Sequence, residues 1–236
     1  MKAFKLLIDL YEVDDYMVCA TSAMRESENG KEIVEEVKED IGLKIQVIDG
    51  NLEAELINLA LWSYIDDKSY LHIDVGGGST ELNIYSKRSK IASKSFKIGS
   101  VRALEDNIPV SVWKSMSKFI EDYIGEKEKI TCIGTGGNIS KILELSNPPK
   151  NRTFIQIDKI KEIQEYLESF TYEDRINKLN LNPDRADVII PASKIYLAAM
   201  AAANSKKMIV PDVGLKDGLM QVLYKKNKNK KQSPSH

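Results

Sequence analysis

The residues best suited to chemistry lie between Leu71 and Leu82, in the stretch LHIDVGGGSTEL. An apolar run that carries Asp74 enters three consecutive glycines and leaves through Glu81. Glycine adopts positive φ at little cost, so three glycines let successive backbone N–H groups point at one anion. The stretch therefore predicts a β-hairpin with a phosphate-binding turn. The residues expected to contact phosphate are Gly76, Gly77, Gly78, Ser79 and Thr80.

A hairpin turn whose glycines serve backbone geometry alone is the simpler interpretation of the same residues. Asp74 precedes the turn, and Glu81 follows the last glycine by three residues. A hairpin does not need these acids, whereas carboxylate oxygens are the ligands that Mg²⁺ or another hard divalent cation prefers. The pair favours a phosphate site with Asp74 and Glu81 as metal ligands.

A second glycine loop follows the apolar run KITCIG and comprises Gly134, Thr135, Gly136 and Gly137. It leads into a helical pattern, and the N–H groups at a helix N-terminus can bind an anion. A strand-to-helix turn that merely needs glycine explains the pattern about equally well. The loop predicts a second phosphate contact, with the geometric alternative left open.

Arg25 and Glu53 are further candidates, because each follows a short predicted strand. Open α/β sheets place ligand-binding groups at the carboxyl ends of strands, and the guanidinium of Arg25 suits a phosphate. A surface ion pair with Glu26 or Glu28 is the alternative for Arg25. For Glu53 the alternative is a first-turn acid stabilised by the helix dipole, and the residues alone favour it.

The elements that would position these groups form an α/β pattern. Residues 2 to 66 alternate helix and strand, which predicts parallel strands joined by crossovers. From residue 68 three strands predict an antiparallel meander, followed by a helix, a strand, the second glycine loop, a helix and a final strand. This is the order of a ribonuclease-H-like domain. We expect a partial first domain at 1–67, a complete second domain at 68–224 and a basic disordered tail at 225–236.

Several motifs in this order resemble the exopolyphosphatase and guanosine pentaphosphate phosphohydrolase (Ppx/GppA) family, within the actin-like ATPase superfamily. Besides the first glycine loop they are CATSAMRESENG, VIDGNLEAELI, KIGSVRALE, CIGTGGN, NPDRADVIIP and VGLKDGLM. The resemblance covers residues 1 to about 224. It implies an actin-like fold, and it implies that Glu53 is the base that activates the attacking water.

The resemblance also shows departures from the family pattern. Leu52 stands where the family usually has the first acid of a pair, and Glu53 aligns with the second. Arg185 and Asp187 match the family's RAD motif, which we interpret as a structural ion pair. In the family, a first phosphate loop lies on a strand that precedes the part matched by this sequence. The resemblance therefore leaves that loop without a counterpart in residues 1 to 236. We therefore expect either a fragment of a longer polypeptide or self-association, as a homodimer, through the first-domain remnant.

Composition bounds the class of protein independently. The 236 residues carry a net charge of −1 and are 42% hydrophobic, which indicates a globular protein and favours neither nucleic acid nor membrane as a partner. The sequence has no run of 18 apolar residues. Its two cysteines have no CxxC spacing, which predicts reduced thiols and a cytoplasmic protein.

Taken together, the residues and the resemblance predict a phosphoanhydride hydrolase. The substrate would be a terminal phosphate of inorganic polyphosphate or of guanosine pentaphosphate, with Mg²⁺ near Asp74 and Glu81. Two other classes stay open: an ATP-dependent kinase of the same superfamily, and a non-catalytic protein that binds polyphosphate or an alarmone.

Overall fold

A computed structural model describes residues 1–105, 108–124 and 130–232 of the chain. It divides the chain into two compact units. The first unit comprises Met1–Trp62 together with Val213–His236, and the second comprises Ser63–Asp212. The predicted α/β class is confirmed in both.

The first unit begins with the predicted alternation of helices and strands. Its elements are α1 (Lys2–Leu10), β1 (Val18–Ala20), α2 (Ser22–Glu26), α3 (Gly30–Ile41), β2 (Ile45–Val47) and α4 (Gly50–Leu61). β1 and β2 pair in parallel, as predicted, with Cys19 opposite Gln46. Helix α3 ends at Gly42, whose φ of 74° is the left-handed conformation that glycine adopts most easily.

The second unit is built on a six-stranded sheet. Its strands are β3 (Ser69–Val75), β4 (Thr80–Ser86), β5 (Ser89–Phe96), β6 (Ile130–Thr135), β7 (Phe154–Gln156) and β8 (Lys207–Ile209). The strand order is β5-β4-β3-β6-β8-β7. β3, β4 and β5 form the predicted antiparallel meander, while β6 is parallel to both β3 and β8. β7, which the sequence did not predict, pairs antiparallel with β8 at the edge.

Helices complete the second unit. They are α5 (Arg102–Glu105), α6 (Val110–Tyr123), α7 (Gly137–Leu145), α8 (Ile157–Glu168), α9 (Tyr172–Asn177), α10 (Pro183–Ala186) and α11 (Ile189–Ala202). Buried side chains of α6, α8 and α11 join Leu71, Ile73 and Leu82 of the sheet in one hydrophobic core. Alternation then puts His72 and Asp74 on the opposite face of β3.

The chain returns to the first unit through helix α12 (Leu215–Gln232). A side chain at Gly218 would collide with the carbonyl oxygen of Leu56, so α12 and α4 approach closely at a glycine. Two sequence expectations differ from this arrangement. The sequence predicts that the segment from Val213 belongs to the second domain, whereas the structure places it in the first unit. The sequence also predicts a disordered tail from residue 225, where the helix instead continues to Gln232. Residues 233–236 lie outside the described residues.

Within the described ranges, no helix combines the length and apolar character needed to cross a membrane.

Candidate functional site

The first glycine loop joins β3 to β4 and is held from one side. The Gly76 N–H donates to the Ser79 carbonyl at 2.9 Å and closes the turn. The loop carbonyls accept hydrogen bonds from the segment after β5, namely from Ser100 N (2.9 Å, to Gly76), Val101 N (3.0 Å, to Gly77) and Arg102 Nε (2.9 Å, to Gly78). Among the hydrogen bonds between described residues, none is donated by the backbone N–H of Gly77 or Gly78. These two N–H groups can therefore serve an anion.

Close packing, rather than positive φ, favours glycine at Gly76 and Gly77 in this loop. The left-handed backbone expected for the nest is absent at Gly76 and Gly77, so that expectation was wrong. A Cβ at Gly77 would lie 3.3 Å from Val101 Cγ2. A Cβ at Gly99 would collide with the Gly77 carbonyl oxygen. Gly99 thus also determines the conformation of the loop. Sequence analysis missed this residue, although it lies in the motif KIGSVRALE.

Asp74 and Glu81 lie directly opposite each other across β3 and β4. Glu81 is buried, with 7% exposure, and its Oε1 accepts hydrogen bonds from Ser79 Oγ at 2.7 Å and Ser95 Oγ at 3.0 Å. The Thr80 hydroxyl donates to the Ile98 carbonyl at 2.5 Å and so serves the fold. The register thus brings the two predicted metal ligands together beside the loop.

Burial, and then the negative charge of Glu81, raise the pKa of Asp74 to about 6, against a hydrogen bond from Thr135 that lowers it. A divalent cation would offset the repulsion between the two carboxylates. Within the described residues there is no cluster of three or more His, Cys, Asp or Glu side chains that could hold a metal. Two carboxylates alone still suit Mg²⁺, which usually binds one or two carboxylates, with water and substrate phosphates as its other ligands. The residues present therefore fit a magnesium site.

The second glycine loop lies beside Asp74. Gly136 has a φ of 99°, and a Cβ there would lie 3.2 Å from Asp74 Oδ1. Gly134 lies within β6, where a Cβ would meet Met208 Sδ at 2.5 Å, so strand packing explains this glycine. Gly137 begins α7, and its phosphate role stays a prediction. The described part of the second unit has a cavity of about 280 Å³ here, lined by Gly137, Ser140, Lys141, Glu144, Asn180, Asn182 and Arg185.

Arg185 lies over Gly137 rather than pairing with Asp187. Its guanidinium occupies the space that a Gly137 side chain would need, and Arg185 Nη1 lies 3.5 Å from Asn138 Oδ1. Asp187 Oδ1 is buried and has no hydrogen-bond partner among the described residues. The prediction of a structural ion pair between Arg185 and Asp187 is wrong.

The first unit brings Arg25 and Glu53 together. Both follow the carboxyl ends of the parallel strands β1 and β2, which meet at one edge. Arg25 Nη1 donates to the Ile48 carbonyl at 2.7 Å and lies 4.0 Å from Glu53 Oε2. The Asp49 side chain caps α4 by accepting from Leu52 N at 2.8 Å, which places Glu53 in the first helical turn. The sequence-based alternative that paired Arg25 with Glu26 or Glu28 is not what the geometry shows.

Sequence analysis missed a row of buried polar side chains on the Asp74 face of the sheet. His72 is fully buried, and its Nε2 lies 2.8 Å from Thr135 Oγ1. Its Nδ1 lies 3.1 Å from Asn83 Nδ2, and Ser93 Oγ donates to Asn83 Oδ1 at 2.7 Å. Burial lowers the pKa of His72 to about 3. The signal was present, because His72 precedes Asp74 by two residues and Asn83 follows Glu81 by two, the period of a strand.

Comparison with known proteins identifies the family in which these motifs occur. The model of the Ppx/GppA phosphatase family matches residues 1–227. The chain belongs to the Ppx/GppA phosphatase family. A solved structure of the Aquifex aeolicus Ppx/GppA family member aligns with a TM-score of 0.71 and 25% identity, covering 95% of this chain and 79% of that one. The fold of this chain is thus that of the Ppx/GppA family.

Two curated proteins of the Ppx/GppA family are similar in sequence to this chain. A guanosine-5'-triphosphate,3'-diphosphate pyrophosphatase of Photobacterium profundum is 25% identical over 89% of the chain and 45% of its own length. Exopolyphosphatase 1 of Mycobacterium leprae is 20% identical over 87% of the chain and 67% of its own length. The chain therefore spans less than half of the first of these Ppx/GppA proteins.

Proposed function

We propose that this chain is a phosphoanhydride hydrolase that releases a terminal phosphate from inorganic polyphosphate or from guanosine pentaphosphate. The observation that carries the proposal is the first glycine loop. Its carbonyls are bound by residues 100–102, and the N–H groups of Gly77 and Gly78 have no partner among the described residues. Two carboxylates, Asp74 and Glu81, lie opposite each other next to this loop. Such a site suits a phosphate accompanied by a cation.

In this proposal the two glycine loops bind the phosphates of the substrate. The N–H groups of Gly77 and Gly78 hold phosphate oxygens, and Gly136 and Gly137 at the start of α7 add a further contact. Asp74 and Glu81 would hold Mg²⁺, which when bound would offset the charge that develops on the transferred phosphoryl group. Ser79 and Ser95 orient the Glu81 carboxylate through their hydrogen bonds.

Glu53 and Arg25 are the groups proposed for the attack by water. Glu53 acts as the general base, a role typically worth about 10²- to 10⁴-fold in rate. Arg25 carries a fixed positive charge 4.0 Å from Glu53 and offers its guanidinium to phosphate. In-line attack of the activated water then breaks the terminal P–O–P bond and releases inorganic phosphate.

Phosphate release from polyphosphate and from guanosine pentaphosphate, with Mg²⁺ present, tests the proposal. We expect Glu53→Gln to lower the rate by about 10²- to 10⁴-fold without loss of folding. Glu55→Gln is the matched control, because Glu55 is an exposed acid on the same helix, and this variant should keep its rate. No release from the unchanged chain, with polyphosphate still bound, would contradict the hydrolase and indicate a polyphosphate-binding protein.

We further propose that the protein works in the cytoplasm on these anionic substrates. Both cysteines, Cys19 and Cys132, are free thiols in the structure, which suits a reducing compartment. Fractionation of cells that express the chain, followed by detection of the protein in membrane, cytosolic and secreted fractions, tests this placement.

A further inference from the structure

The row of polar side chains around His72, which is buried except at Ser93, forms a continuous path to the candidate site. It begins at the exposed Ser93 on β5, passes Asn83 on β4 and His72 on β3, and reaches Thr135 at the end of β6. The register explains the path, because Ser93 lies opposite Asn83 and Asn83 lies opposite His72. Thr135 in turn lies opposite Asp74 in the parallel pairing of β6 with β3, and its side chain lowers the pKa of the Asp74 carboxyl group.

The amide of Asn83 sets the direction of the hydrogen bonds in this path. Its Oδ1 accepts from Ser93 Oγ, which leaves its Nδ2, a group that only donates, facing His72 Nδ1 at 3.1 Å. Nδ1 therefore accepts, and the ring proton of His72 lies on Nε2, which donates to Thr135 Oγ1. The hydroxyl proton of Thr135 is then left for the neighbouring Asp74.

We propose that Ser93, Asn83 and His72 form a directional chain of hydrogen bonds that turns the Thr135 hydroxyl toward Asp74. His72 is thereby a positioning residue for this carboxylate. If the proton lay on Nδ1 instead, Nε2 would compete for the Thr135 proton, and Asp74 would lose its donor. Partners behind a metal-ligating side chain commonly have such a role, since they fix the orientation of the ligand.

Nitrogen NMR of the ¹⁵N-labelled full chain tests the direction of the path without any substrate. The chain has two histidines, so His236→Ala assigns the ring signals of His72. We expect a neutral His72 ring with its proton on Nε2. A proton on Nδ1, or on both nitrogens, overturns the proposal.

Substitutions of residues in the path provide a further test of its direction. Asn83→Leu removes the donor to Nδ1, so the Nε2–H form should no longer be enforced, and an unchanged ring spectrum would contradict the proposal. If that variant does not fold, Ser93→Ala removes the exposed end and should still shift the His72 ring signals. Ser95→Ala is the matched control on the same strand face, because Ser95 contacts Glu81 instead, and it should leave the His72 ring spectrum unaltered.

The effect on catalysis rests on the proposed function and has its own comparison. His72→Leu removes the donor to Thr135 and should raise the Mg²⁺ concentration for half-maximal phosphate release by about 10- to 100-fold. His72→Gln keeps a nitrogen donor at the Nε2 position and should recover most of the loss. Equal loss in both variants overturns the positioning role. An unmodified chain without phosphate release overturns the proposed function, while NMR still decides the direction of the path.

Discussion

At the scale of single residues, Gly99 determines the shape of the phosphate loop from outside the loop. We expect Gly99→Ala to lower the free energy of unfolding by about 1–3 kcal/mol, because its Cβ would collide with the backbone of Gly77. We also expect phosphate release to fall by about 10²-fold, since a displacement of about 1 Å misplaces the bound phosphate. Urea unfolding and a phosphate assay measure the two effects.

The matched control for this prediction is Gly214→Ala. A Cβ at Gly214 would have no heavy atom within 4 Å, so its free energy of unfolding should change by no more than about 0.5 kcal/mol. If Gly99→Ala behaves like this control, the close approach at Gly99 does not shape the loop.

The sequence predicted the site residues whose chemical type is distinctive but not the neighbours that orient them. Asp74 and Glu81 were found because two acids flank a glycine run, and the register does place them opposite each other. His72 and Asn83 were missed, because a lone histidine and a lone asparagine in apolar runs carry no motif of their own. Their meaning depends on which strand lies beside which, and that is decided by long-range pairing.

At the scale of secondary structure, the N-terminus of α4 holds the proposed base. We expect Asp49→Ala to cost about 1 kcal/mol of stability, because the Leu52 N–H loses its capping partner. Phosphate release should fall as well, because Glu53 lies in the frayed turn. Asp49→Asn keeps a side-chain oxygen and should retain both stability and rate. Thermal melts and phosphate assays of the two variants, run in parallel, make the comparison. Equal melting temperatures of the two variants would show that the Asp49 cap contributes no stability.

The structure confirms the predicted elements that have strong local sequence signals. It differs from the prediction at elements that depend on contacts between residues distant in the sequence. Helix α3 and its stop at Gly42 follow from an apolar stripe and a terminal glycine. The three-residue strand β7 lacks such a signal and exists because β8 offers it an edge. The basic stretch after Leu223 has no apolar periodicity, yet it continues a helix whose earlier turns pack against α4.

At the scale of the whole molecule, the expected self-association can be tested at α1. This helix buries none of its residues, and Phe4, Leu6 and Leu10 are each more than 60% exposed. If the first unit self-associates through this face, light scattering should give a dimer mass that rises with concentration. Leu6→Glu combined with Leu10→Glu should then give a monomer, because apolar contact is replaced by charge.

Ile91→Glu controls for charge added at an exposed apolar position in the other unit, since Ile91 is 48% exposed on β5. It should leave the dimer intact. A monomer of the unchanged chain at every concentration would contradict self-association.

The interrupted first unit also has a consequence for how the protein is made. Residues 1–62 leave the ribosome before residues 63–212, whereas helix α12, which packs against α4, is translated only after them. At about 5–20 residues per second, the nascent N-terminal segment waits on the order of ten seconds for its last helix. The second unit is contiguous and can fold during that interval. The N-terminal segment, with its exposed apolar surface, is thus the part of the nascent chain that most needs a chaperone.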